Sequence, residues 1–330
     1  MTQRFTPLNS HRGMSMTAPI ATLGVLADVQ SGDKDDGDGE GRVQRYRAAP
    51  GKLGEAVDFY RQRSLACVVS LGDIVDGRDD EASTRRDLAD VTAHFRRLEC
   101  PCHHVVGNHC LKHLPREYLL RELRAPASYY AVDIVAGALR LIVLDTTDLS
   151  THGGWAEGSD RHNEALAYME AHSDEPQVLR YNGGVGRTQL QWIRDELRRA
   201  EREDVRLIVA SHHALAPGAA RDTHRAWNGN QVAALLVASR AVLLCLAGHD
   251  HLGAFAVWHG TPFVTLPAVL EAPPDGNAFA LIRVWADRIE IDGCGTDVPS
   301  RVLPLTPSRK RAARPEDGGG RRSSARVRAR

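Results

Sequence analysis

The sequence predicts an α/β fold in which two β-sheets pack face to face with helices on their outer sides. Apolar runs of strand length recur along the chain, several of them rich in Val, Ile and Leu as strands covered on both faces should be. Helical patterns separate these runs through the first two thirds of the chain. Beyond residue 240 the runs follow one another closely, which suits two packed sheets better than the strict alternation of a doubly wound one.

Taken in order, strands are expected over residues 22–27, 67–71, 104–106, 139–144, 207–210, 242–247, 262–266, 279–284 and 288–291. Helices are expected over 44–63, 82–97, 187–202 and 230–239. In the third of these, Leu190, Ile193 and Leu197 fall at spacings of three and four, the stripe of an amphipathic helix. Residues 31–41 alternate Asp and Gly and are expected to form a mobile acidic loop. An EF-hand is excluded there, because Gln44 stands at the twelfth position counted from Asp33, where a bidentate Glu is required. One folded domain is expected over 20–305, with a disordered segment before it (1–19) and a disordered basic tail after it (306–330).

Charge is balanced overall but unevenly spread. Residues 306–330 hold nine Arg or Lys against two Asp or Glu, a net of +7, which leaves 33 basic and 40 acidic side chains on the rest, a net of −7. An acidic body excludes a nucleic-acid-binding face on the folded part, since neutralising phosphates needs clustered Lys and Arg. Contact of the tail with nucleic acid is the less favoured reading: the whole chain is Arg-rich, with only four Lys, so Arg in the tail follows general composition. Six cysteines are too few for a disulfide scaffold of this length, and Cys67 and Cys245 sit inside apolar runs where a reduced thiol packs well. No run approaches the roughly 18 apolar residues of a membrane span. The expected setting is the cytoplasm.

Five polar blocks, each at the end of an apolar run, carry the chemistry: Asp28-Val29-Gln30, Gly72-Asp73, Gly107-Asn108-His109, Ser211-His212 and Gly248-His249-Asp250-His251. A pair of divalent ions needs oxygen and imidazole donors from several strand ends and one carboxylate able to bridge. The blocks sort into two sites. One takes Asp28, Gln30, Asp73 and His251; the other takes Asp73, Asn108, His212 and His249, with Asp73 as the bridge. Asp28 and Gln30 are expected to leave extended backbone on one side. The oxygen-rich donor set favours Mn²⁺ or Mg²⁺ over Zn²⁺. Two ions against two carboxylates leave a charge of about +2, suited to a pyrophosphate dianion. His109 is not needed as a ligand and is the candidate catalytic acid, protonating the departing phosphate while a hydroxide bridging the ions attacks. His103, His104, His213, His224 and His259 are read as packed or exposed side chains.

These blocks resemble those of the calcineurin-like metallophosphoesterases, and within them the manganese-dependent ADP-ribose/CDP-alcohol diphosphatases, which also carry Gln at the position of Gln30. The resemblance extends to Asp35-Asp36-Gly37, Arg45-Tyr46-Arg47, Asn182-Gly183-Gly184, Ala226-Trp227-Asn228 and the stretch from Glu271 to Phe279. It implies a four-layer αββα sandwich, a catalytic domain over 20–305, a dimanganese centre on the seven ligands above, and hydrolysis of ADP-ribose, CDP-choline and related small nucleoside diphosphate conjugates. Two departures stand out. Cys110 follows His109 where the family has an acidic residue able to orient the imidazole. The loop near Gly39 lacks an aromatic, which leaves Phe255, Trp258 or Trp227 to stack on a nucleobase. The alternatives are another metallophosphoesterase activity, such as cyclic nucleotide phosphodiesterase, and a non-enzymatic scaffold, which retention of all seven donors disfavours.

Overall fold

A computed structural model describes residues 18–305 apart from 40, 296 and 297. The expectations for the first 17 residues and for the basic tail lie outside the described residues. Along the chain the elements run β1 (Ala21–Leu26), β2 (Gly37–Gly39), β3 (Arg42–Gln44), α1 (Ala49–Arg61), β4 (Cys67–Ser70), α2 (Glu81–Phe95), β5 (Cys102–His104), α3 (Arg116–Glu122), β6 (Tyr130–Val135), β7 (Leu139–Val143), α4 (Asp160–Ala171), α5 (Arg187–Glu203), β8 (Arg206–Ala210), α6 (Gly229–Val237), β9 (Val242–Ala247), β10 (Ala254–Trp258), β11 (Thr261–Thr265), β12 (Ala278–Val284), β13 (Arg288–Gly295) and β14 (Arg301–Pro304).

Alternation within the strands builds the layers. In β1, Leu23 and Val25 face the core between the sheets while Leu26 packs on the outside; in β7, Leu139, Leu141 and Val143 face in and Ile142 faces out. One sheet is ordered β14-β13-β12-β1-β4-β5 and the other β10-β11-β9-β8-β7-β6. The first sheet's outer face is covered by α1 and α2 through Leu53, Val57, Tyr60, Leu88, Val91 and Phe95. On the second sheet, the α5 stripe of Leu190, Ile193, Leu197 and Ala200 packs with Val232 and Leu236 of α6. The result is the expected αββα sandwich. No helix among the described residues is long and apolar enough to cross a membrane.

Helix ends follow local chemistry. The side chain of Asp80 accepts from the Ser83 backbone N–H at 2.7 Å, and Ser83 Oγ accepts from the Asp80 N–H at 3.3 Å, a capping box that starts α2. α1 begins at Ala49 rather than 44, because residues 42–44 pair with β2 and Pro50 suits the first helical turn. The stretch expected as a mobile loop therefore carries a small hairpin, pinned by Lys34 to Asp76 and by Arg47 to Asp33 and Asp35. The edge strands β6, β10 and β14 and the helices α3 and α4 went unforeseen. β6 is broken by Asp133, β14 is short and partly exposed, and α4 buries only Ala165; β10, Ala254-Phe255-Ala256-Val257-Trp258, is an apolar run of strand length and was legible as one.

Candidate metal centre

The parallel strands β1, β4, β5, β8 and β9 deliver their carboxyl ends to one place, the crevice where open α/β sheets bind ligands. Asp28 lies two residues beyond β1, Asp73 three beyond β4, Asn108 four beyond β5, and His212 and His249 two beyond β8 and β9. Ligating atoms of Asp28, Asp73 and His212 fall within 4.8 Å of one another. The backbone seams are tight: the Asp28 N–H donates to the Gly72 carbonyl at 3.2 Å, and the Gln30 N–H to that of Asp73 at 2.8 Å.

The expectation that Asp28 and Gln30 leave extended backbone is corrected here. Both take left-handed conformations, with φ of 52° and 41°, as do Asp73 (47°) and His249 (67°). Each costs on the order of 1 kcal/mol for a non-glycine residue, so four of the seven expected donors are held in strained backbone. The turn that carries Asp28 across the sheet end makes this necessary. The glycines give the room: a Cβ on Gly72, itself at φ 100°, would lie 2.5 Å from His212 Nδ1, and one on Gly107 would collide with the Asp73 carboxylate.

The donors fit a cation. His212 gives its Nδ1–H to the Leu71 carbonyl at 2.8 Å, which leaves the Nε2 lone pair facing Asp73 Oδ2 at 3.1 Å and Asn108 Oδ1 at 3.0 Å. Asp73 Oδ2 and Asp28 Oδ1 are both buried without a hydrogen-bond partner. Lone pairs turned on one another in a buried pocket are unfavourable unless positive charge sits among them. His251 is oriented in the same way but satisfied differently: Nδ1–H donates to Glu271 Oε1 at 2.7 Å, Nε2 accepts from the Gln30 side-chain NH2 at 3.1 Å and lies 3.8 Å from Asp28 Oδ1, so the Gln30 amide must turn over to offer its oxygen to a cation. The Nε2 of His249 donates to Asn182 Oδ1 at 2.7 Å, leaving Nδ1 as its free donor atom. Asp28, Asp73 and His212 thus share one centre, with Asn108 against His212, and Gln30 and His251 on the side of Asp28. His213 is close enough to be counted with His212 and His249, but its nitrogens are engaged with Thr146 Oγ1 at 2.8 Å and, more loosely, the Tyr181 carbonyl at 3.4 Å.

His109 stands at the edge of this cluster, its backbone N–H donating to Asp73 Oδ1 at 2.9 Å. Its Nδ1 lies 3.0 Å from the Asp76 carbonyl and 3.2 Å from Asp76 Oδ1. The imidazole is therefore oriented by Asp76, through both its carbonyl and its carboxylate, even though Cys110 follows it. Cys110 packs instead in the core beneath α1 and α2. Asp76, Asn182 and Glu271, which fix three of the histidines, were not named as site residues from the sequence. Asn182 and Glu271 lie in stretches of the resemblance; Asp76 could have been found only as the second acid of Gly72-Asp73-Ile74-Val75-Asp76.

A family model described as calcineurin-like phosphoesterase matches residues 21–253. The chain belongs to this family. It is 33% identical over 301 residues to a protein of Arabidopsis thaliana named manganese-dependent ADP-ribose/CDP-alcohol diphosphatase, across 85% of this chain and 96% of that one. It is 30% identical over 322 residues to a human protein of the same name, across 86% and 92%. A solved dimetal phosphatase from Danio rerio is similar with a TM-score of 0.81 and 29% identity, covering 87% of this chain and all of that one.

In this phosphoesterase the centre opens into a cleft of about 340 Å³ walled by residues that include Arg42, Gln44, Tyr181, Arg221 and His224. The aromatics proposed from sequence for stacking are elsewhere. Trp227 is buried and donates to the Leu179 carbonyl, Phe255 lies under Arg301, and Trp258 packs on the second sheet's outer core. Tyr181, with His224 tilted beside it at 5.5 Å, is the aromatic in the cleft wall. The buried carboxylates favour positive charge at this place. Burial pushes the Asp28 carboxyl up to about 6. Burial opposes charge on His212, yet Asp73 and Asp28 outweigh it and lift the imidazole to about 9. Burial likewise opposes charge on His109, and Asp73 and Asp76 more than offset it, so its pKa lies above the ordinary histidine value.

Proposed function

We propose that this phosphoesterase hydrolyses the pyrophosphate bond of ADP-ribose, CDP-alcohols and related nucleoside diphosphate conjugates with two divalent cations, Mn²⁺ being the pair used. Asp28, Gln30, Asp73 and His251 would hold one ion; Asp73, Asn108, His212 and His249 would hold the other. The observation that carries this reading is similarity along nearly the whole chain to proteins named for that activity. A cleft of about 340 Å³ lies within the range of small-molecule sites and supports it.

Bound there, the ions supply Lewis-acid stabilisation of the phosphoryl oxygens and a nucleophile at neutral pH. The protein's own part is orientation and proton transfer. Asn182, Glu271 and the Leu71 carbonyl each fix one nitrogen of His249, His251 and His212, so that the other nitrogen points to the centre. Asp76 holds Nδ1 of His109, and Nε2 donates its proton to the departing phosphate oxygen.

The test is turnover of ADP-ribose, CDP-choline, CDP-glycerol, cyclic nucleotides and a chromogenic phosphodiester by purified protein with Mn²⁺. The nucleoside diphosphate conjugates should give the highest kcat/KM. A higher value for a cyclic nucleotide would replace this reading with a phosphodiesterase. The catalytic unit in this proposal is residues 20–305, so removing 306–330 should leave turnover of a soluble substrate unchanged.

A further inference from the structure

Asp76 is itself held from the far side. Lys34 Nζ donates to Asp76 Oδ2 at 2.6 Å, while Oδ1 of the same carboxylate faces Nδ1 of His109. The Asp76 side chain is only 3% exposed, so its rotamer is fixed by these two partners rather than by water. Lys34 is fixed in turn: its ammonium lies 3.7 Å from the centroid of the Tyr46 ring, and the Tyr46 hydroxyl donates to Gln44 Oε1 at 2.5 Å. Lys34, Asp76 and His109 thus form a chain of three side chains running from the segment after Gln30 to the cleft. That segment also supplies Gly39, Arg42 and Gln44 to the cleft wall.

We propose that Lys34 is a positioning residue for the acid His109. By holding Oδ2 of Asp76 it leaves Oδ1 free to accept from Nδ1 of His109, and this aims Nε2 at the leaving oxygen. A carboxylate without that anchor rotates about its last bond, and the imidazole, held at Nδ1 by both Asp76 Oδ1 at 3.2 Å and the Asp76 carbonyl at 3.0 Å, keeps only the carbonyl and tilts more freely. Because Lys34 belongs to the segment that walls the cleft, a substrate seated against that wall also steadies the anchor. The inference rests on His109 acting as the general acid in the proposed reaction.

A positioned proton donor matters most when the leaving group is a poor one, so the test is a leaving-group series. CMP aryl esters ranging from p-nitrophenyl to phenyl are turned over by the Mn²⁺-loaded wild type, Lys34→Met, Lys34→Arg and Asp76→Asn, with bound metal measured in each. Lys34→Met should keep its metal and its KM. It should lose about tenfold or more in kcat on the phenyl ester, lose little on the p-nitrophenyl ester, and so steepen the dependence of rate on leaving-group acidity. Lys34→Arg should restore most of the loss, and Asp76→Asn should steepen the dependence as Lys34→Met does. Equal losses on every ester, or a loss that tracks metal content, would overturn the proposal. Lys34→Gln serves the same test if the Met variant folds poorly. The aryl esters probe the acid whatever the natural substrate, so a wrong substrate class would appear separately, as failure of the wild type on nucleoside diphosphate conjugates.

Discussion

Replacing Asn182 by Leu separates the two things this buried amide does. Its Nδ2 donates to the Gln177 and Thr223 carbonyls, each at 2.8 Å, and its Oδ1 accepts from His249 Nε2 at 2.7 Å. Three hydrogen bonds at roughly 1 kcal/mol each, all in a fully buried setting, put the stability loss at about 3 kcal/mol. Removing the acceptor that fixes the His249 tautomer should in addition weaken one Mn²⁺ site by about 10- to 100-fold. Urea denaturation in the presence of a chelator measures the first effect, and calorimetric titration with Mn²⁺ the second. Asn182→Asp keeps an acceptor for His249 but sets a carboxylate against the two carbonyls, so it should lose stability while retaining metal affinity. If Asn182→Leu lost stability with both Mn²⁺ affinities unchanged, Asn182 would not be orienting a ligand.

Asp73→Asn should lose occupancy at both sites and most activity; two tightly held ions in the variant would exclude Asp73 as the bridge. Gln30→His exchanges an amide oxygen for an imidazole and should shift metal preference toward Zn²⁺; an unchanged metal profile would remove Gln30 from the ligand set. His104, away from the centre, is buried beside Phe95 with Nδ1 unpartnered, and burial together with His103 depresses its pKa to about 3. The unfolded chain takes up that proton near the ordinary value of 6.5 while the folded protein does not, so stability is full above about 6.5 and is lost as pH falls toward 3, at up to roughly 1 kcal/mol per unit. His104→Leu should gain on the wild type as pH is lowered through this window in chelator-treated samples. Parallel stability curves would contradict it.

Most of the donors were legible in the sequence because they follow strands buried along nearly their whole length, where a polar block is costly unless it serves a site; Asn108, after the partly exposed β5, is the exception. Leu71 before Gly72-Asp73 and Ala247 before Gly248-His249 are cases in point. The two-sheet architecture was legible for the same reason: β9 is apolar on both faces, and β7 and β8 are so apart from Arg140 and Arg206. Other features depend on tertiary approach that no local pattern encodes. Asp76 acts on a histidine 33 residues away, and Asn182 on one 67 away. The left-handed turns at Asp28 and Gln30 come from stitching to the Gly72 and Asp73 carbonyls, so residue spacing alone suggested extended backbone. An edge strand such as β6, interrupted by Asp133 and mostly only partly buried, gave no run to read.

Anomalous diffraction from crystals soaked in Mn²⁺ is the most direct test of the centre. Two peaks about 3.5–4 Å apart are expected. Asp28, Gln30 and His251 should surround one, Asn108, His212 and His249 the other, and Asp73 should touch both. A single peak, or a pair that Asp73 does not bridge, would contradict the account.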